Sequence, residues 1–108
     1  MKPLPILSLI IILSLPCAHA GDGAAIYNKN CAACHGKDGT GNTKMGKKKG
    51  ARDYTDAAVQ SSFSDAQALK AILEGVKDGS KIKMKPYASK VSEAEAKELV
   101  AYIRKFKK

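Results

Sequence analysis

The chain has 108 residues, with 19 Lys and Arg against 10 Asp and Glu, giving a net charge of +9 at neutral pH. That length allows one domain and little more. The chain has no Trp and only scattered aromatics, which argues against a nucleic-acid surface despite the basic charge, because such surfaces set stacking rings beside their lysines.

Met1 and Lys2 lead into an almost wholly apolar run, Leu4 to Leu15, followed by Pro16, Cys17 and the small-x-small triplet Ala18-His19-Ala20. This pattern predicts an export signal over residues 1–20, cleaved after Ala20, and a single domain over 21–108. The run is well short of the ~20 apolar residues a spanning helix needs, so no stable membrane insertion is expected. Cys17 raises the alternative of lipidation, which Pro16 disfavours, since a small residue is expected before a lipidated cysteine. Cleavage removes Lys2 and lowers the net charge by one. It also removes His19, leaving His35 as the one histidine of the 88-residue mature chain, and Met1, leaving Met45 and Met84.

Asp22 is placed to cap a helix running from Gly23 through Ile26 and Tyr27. It leads into Cys31-Ala32-Ala33-Cys34-His35, two thiols three residues apart with a histidine directly after the second, the arrangement that attaches a c-type haem. On a helical turn, positions i and i+3 share a face, so Cys31 and Cys34 can each add to one vinyl group of the same porphyrin. His35 then reaches the iron as the proximal ligand. Three other readings fit less well. A thioredoxin-like dithiol needs a βαβ setting, and no alternating strand-like run flanks this motif. A zinc site needs about four ligands, and the chain has no second Cys or His pair. A Cys31–Cys34 disulfide leaves His35 without a role. Haem attachment outside the cytoplasm agrees with the export signal.

Five glycines from Gly36 to Gly50, interleaved with Lys44, Lys47, Lys48 and Lys49, predict a long loop. Arg52, Tyr54 and Gln60 follow in the segment that would pass the lower edge of the ring, as candidates for bonding its propionates. Ser64 with Gln67 reads as a capping box opening a helix through Ala68, Leu69, Ile72, Leu73 and Val76 that ends near Gly79. Ser92 with Glu95 repeats the device before Ala96, Leu99, Val100, Tyr102, Ile103 and Phe106. Arg104, Lys105, Lys107 and Lys108 then place positive charge at the helix C-terminus, where the helix dipole favours it. So small a chain has little apolar surface of its own to bury, and a cofactor can complete its core.

For the iron's other face, Met84 is favoured over Met45. It follows a helix and sits in a loop closed by Pro86, whereas Met45 lies ten positions after His35 in a Gly/Lys stretch. A histidine and a thioether together favour Fe(II) and fill both axial positions.

Residues Cys31 to Gly41 resemble the haem motif and following glycine turn of small class I c-type cytochromes of the bacterial periplasmic or thylakoid-lumen kind. Gly23 and Tyr27, with Leu99 and Tyr102, resemble that family's contact between first and last helices. Met84-Lys85-Pro86-Tyr87 is similar to its distal-ligand segment. The chain departs from the family in placing Lys85 between Met84 and Pro86. It also has no proline in the loop after His35, where some members use a carbonyl to orient the imidazole.

The resemblance implies an all-α fold of about three to four helices with long loops around one covalent haem. Cys31, Cys34, His35 and Met84 would bind the cofactor, with His35 and Met84 on the metal. With both axial positions filled, the expected function is that of a soluble, monomeric, non-enzymatic one-electron carrier in the periplasm or otherwise outside the cytoplasm. Its partners would be redox proteins with acidic docking surfaces, met by lysines of the two loops near the haem edge. The alternatives are a haem-based ligand sensor, in which a small molecule displaces Met84, and an electron-input subunit of a larger oxidoreductase.

Overall fold

The computed structural model describes residues 1–5, 10–11 and 22–108. Most of the segment expected to be an export signal, including Cys17 and the Ala18–Ala20 triplet, lies outside the described residues. Among the described residues no helix is long and apolar enough to cross a membrane.

The described residues form six helices and one short hairpin, in chain order: α1 Gly23–Asn30, α2 Ala32–His35, α3 Lys44–Lys49, α4 Ala57–Ser61, α5 Asp65–Glu74, β1 Val76–Asp78, β2 Lys81–Met84 and α6 Glu93–Arg104. Both expected capping boxes form. Ser64 and Ser92 each accept from the backbone N–H three residues on, and Gln67 and Glu95 reach back to the cap N–H groups. Asp22 does stand at the N-cap of α1, but its side chain makes no capping bond.

The core is built by α1, α5 and α6, with Tyr27, Cys31, Ile72, Val91, Ala96, Leu99, Val100 and Ile103 buried. Ile26, Leu69 and Leu73 pack half-buried against it. The crossing of α1 on α6 depends on Gly23, where a Cβ would stand 3.1 Å from the Glu98 carbonyl oxygen and 3.4 Å from Tyr102 Cβ. A side chain there would require the α6 backbone to give by a few tenths of an ångström. Tyr27 fills the crossing, its ring 5.0 Å from that of Tyr102 and 5.2 Å from that of Phe106. Its hydroxyl donates to the Gly36 carbonyl at 2.6 Å, and burial pushes its pKa well above the ordinary phenol value, so it stays a donor.

The structure corrects the expected layout in three places. The Gly/Lys stretch is not a continuous loop, because Thr43 caps α3 by accepting from Gly46 N–H at 2.8 Å. A further short helix, α4, starts at Asp56, whose carboxylate accepts from Ala58 N–H at 2.8 Å. The Ser64 helix stops at Glu74 rather than near Gly79. Gly75 there takes φ +77°, and the chain turns into an antiparallel hairpin with Val76 opposite Met84 and Asp78 opposite Lys81. The fold is mostly helical with this one small sheet.

Replacing Tyr27 by Phe keeps the ring and leaves the Gly36 carbonyl without its partner. Tyr27→Phe is expected to destabilise the holoprotein by about 1–3 kcal/mol, seen as a lower denaturation midpoint at unchanged slope.

Candidate haem site

Cys31 sits at the junction of two helices, as C-cap of α1 and N-cap of α2. Its N–H donates to the Tyr27 carbonyl at 2.8 Å, while its own carbonyl accepts from His35 N–H at 2.9 Å. The junction keeps the motif helical, so Cys31, Cys34 and His35 are carried on successive positions of one turn. Thr43 fixes that turn from the other side, its hydroxyl donating to the Cys34 carbonyl at 2.7 Å.

Cys31 and Cys34 are both free thiols, Cys31 buried and Cys34 half-buried. Burial, and after it the proximity of Cys34, push the Cys31 thiol up to about 11. A redox-active dithiol works by the opposite shift, toward thiolate. The environment of Cys31 therefore disfavours the thioredoxin-like alternative. His35 is held below the ordinary histidine pKa by burial, so its imidazole is neutral with a lone pair to give. Its Nδ1 is buried and has no hydrogen-bond partner among the described residues.

Met84 ends β2 and packs half-buried against the core cluster that contains Cys31. The chain after it is pinned at two points by Tyr87, whose N–H donates to the Ile72 carbonyl at 2.9 Å and whose hydroxyl donates to the Asn30 carbonyl at 3.1 Å. Met45, on α3, is 42% exposed. The structure thus brings Met84, and not Met45, to the core shared with the motif.

The propionate role suggested for Gln60 does not survive. Gln60 is only 4% exposed, and its amide is committed inside the protein: Nε2 donates to the carbonyls of Tyr54 at 2.7 Å and Ile103 at 2.9 Å, and Oε1 accepts from Arg104 at 2.9 Å. Tyr54 presents its ring to His35, with centroids 5.3 Å apart. Two matching turns flank this contact. Asp38 accepts from the N–H and hydroxyl of Thr40, and Asp53 does the same with Thr55, bonds that hold both carboxyls below their ordinary pKa. Sequence reasoning missed Thr43 and Arg104. The Asp-x-Thr spacing that occurs at both 38 and 53 was the available sign of ordered turns here.

This donor set, two thiols and an imidazole on one turn with a thioether from a separate segment, fits a haem c. The comparisons with known proteins agree. The sequence model of the family described as cytochrome c oxidase, cbb3-type, subunit III matches residues 18–103. The chain belongs to the c-type cytochromes.

A solved structure of the KustC0563 c-type cytochrome is 38% identical, with a TM-score of 0.72 over 81% of this chain and 99% of that one. A point variant of that cytochrome is 36% identical, with a TM-score of 0.69 over 80% and 99%. The cbb3-type cytochrome c oxidase subunit CcoP of Cereibacter sphaeroides is 50% identical over 40 residues, which are 37% of this chain and 12% of that protein. The present chain thus matches about an eighth of that relative's length. Membership of this family implies binding of haem c and a part in electron transfer.

If Cys31 and Cys34 carry the thioethers, acidified organic solvent leaves haem on the wild-type chain, whereas Cys31→Ala or Cys34→Ala sharply reduces the yield of normally attached holoprotein. Met84→Ala is expected to abolish the weak Fe(III)–sulfur charge-transfer band and lower the reduction potential, while Met45→Ala leaves both nearly unchanged. Visible spectroscopy and potentiometry on the two variants check this.

Proposed function

We propose that this cytochrome is an exported, monomeric, soluble one-electron carrier, with one haem c attached through Cys31 and Cys34 and with His35 and Met84 as its axial ligands. The bound group supplies an Fe(III)/Fe(II) couple. The observation that carries the reading is that both donors rest on locked backbone. His35 is held by the Cys31 carbonyl within α2, and Met84 by its pairing opposite Val76 and by the Tyr87 bonds beyond it. With the backbone under both donors held, His35 and Met84 would hold the iron with little to rearrange between its oxidation states. That suits outer-sphere transfer and disfavours binding of a small molecule. The purified holoprotein is therefore expected to be low-spin in both oxidation states and indifferent to CO, and ready CO binding would overturn the carrier reading in favour of a sensor.

The partner surface follows from charge. Lys44, Lys47, Lys48 and Lys49 lie on α3, and Lys81, Lys83 and Lys85 lie on and just after β2. A bond from Lys49 Nζ to the Ile82 carbonyl at 3.4 Å joins the two groups. Among these lysines stand three exposed apolar side chains, Met45, Val76 and Ile82, at 42%, 39% and 47% exposure. A basic rim around an apolar patch suits a redox partner with an acidic docking surface.

The rate of electron transfer to such a partner is expected to fall about tenfold or more as ionic strength rises from 0.01 to 0.15 M, where the Debye length shrinks from about 30 to about 8 Å. Replacing Lys81, Lys83 and Lys85 by Gln should lower the rate and flatten that dependence at nearly unchanged potential. The same change at Lys107 and Lys108 should do much less.

The family match and the CcoP relative favour a second reading, an electron-input subunit of an oxidase-type complex. Stable co-purification with a membrane oxidase at native abundance would decide for it.

A further inference from the structure

The contact between Tyr54 and His35 has supports that reach across the molecule. The two rings lie 5.3 Å apart, with planes 26° from parallel. Tyr54 is itself held on several sides. Its N–H donates to the Gly39 carbonyl at 2.8 Å, its carbonyl accepts from Gln60, and its ring meets that of Phe63 edge-on at 5.9 Å. Both braces are gripped by Arg104 from the end of α6. The guanidinium donates to the Gln60 carbonyl at 2.5 Å, to Gln60 Oε1 at 2.9 Å and to the Phe63 carbonyl at 2.8 Å, and lies 4.3 Å over the Phe63 ring. Asp65 accepts from its remaining face at 2.9 Å.

An imidazole is usually fixed about its Cβ–Cγ bond by a hydrogen bond from the ring nitrogen that does not ligate. Among the described residues, His35 Nδ1 is buried and has no such partner. The face of Tyr54 lies against the ring, with centroids 5.3 Å apart. We propose that Tyr54 is a positioning residue that sets the plane of the His35 imidazole through ring-on-ring packing, with Arg104 bracing it through Gln60 and Phe63. The proposal rests on His35 being the proximal ligand. The plane of an axial imidazole fixes the splitting of the iron d orbitals, so the consequence is a spectroscopic signature as well as a structural one.

The test uses purified ferric holoprotein, with low-temperature EPR for the g values and NMR for the order of the haem-methyl resonances. Tyr54→Leu removes the flat face, and is expected to shift the largest g value and reorder the methyl signals while the spectrum stays low-spin. Tyr54→Phe keeps the face and should reproduce the wild type on both measurements. Phe63→Leu, which loosens the brace without touching His35, should move both in the same sense as Tyr54→Leu and by less. It carries the test if Tyr54→Leu gives no folded protein. Unchanged g values and methyl order in Tyr54→Leu, or in Phe63→Leu where only that variant folds, overturn the proposal. A Tyr54→Phe variant that shifts as far as Tyr54→Leu also overturns it, because the hydroxyl rather than the face would then be acting. His35→Ala separates the premise from the proposal: if its holoprotein keeps the wild-type low-spin spectrum, the ligand assignment itself is wrong.

Discussion

The hydroxyl of Tyr27, buried where the first helix crosses the last, donates to the Gly36 carbonyl and so ties that crossing to the turn directly after His35. Cys31 N–H bonds to the carbonyl of the same tyrosine. The haem motif is therefore held between two bonds from one residue, and that residue is positioned by Tyr102 and Phe106 of the last segment. The bond is short, dry and made by a phenol that burial keeps protonated, a setting in which a lost partner costs more than the net value of an average hydrogen bond. The placement of Cys31, Cys34 and His35 relative to the core follows from it.

The parts of the fold that were legible in the sequence are those written in local code. Ser64 with Gln67 and Ser92 with Glu95 announce their helices because a capping box is a four-residue device that needs no distant partner. The Cys31–His35 pentapeptide is local in the same way, its three chemical groups lying on one turn. The hairpin and α3 were not legible. Val76-Lys77-Asp78 is too short to show an alternation, and α3, six residues long with Gly46 inside it, has weak helical tendency of its own. It forms because Thr43 caps it and at the same time bonds the Cys34 carbonyl, a tertiary tie that no window of sequence displays. Gln60 is the sharpest case. Its composition suggests surface, yet its amide is satisfied by Ile103 and Arg104, more than forty positions away.

The charged contacts differ widely in what they can contribute to stability. The ion pairs Lys70–Glu74, Lys97–Glu93 and Lys83–Asp78 are exposed and longer than 3.5 Å, and pairs of this kind contribute about 0–1 kcal/mol. Arg104 is different. It is only partly exposed, its donors meet two backbone carbonyls, an amide and a carboxylate, and its plane covers an aromatic ring. An ammonium group could not make that set of contacts, so lysine is no conservative exchange at this position. Positive charge is also carried by α3 and the hairpin, where Lys49 meets the Ile82 carbonyl and Lys83 pairs with Asp78, beside apolar side chains that the core does not use.

The pairing of α1 with α6 sets an order of events for a chain that emerges N-terminus first. The cysteines at 31 and 34 lie far upstream of α6, the helix that packs over α1. Until α6 docks, Gly23 and Tyr27 have no surface to close on, and the thiol-bearing turn stays open. Long-range closure, usually a brake on folding speed, here sets the interval in which that turn is accessible before the core shuts.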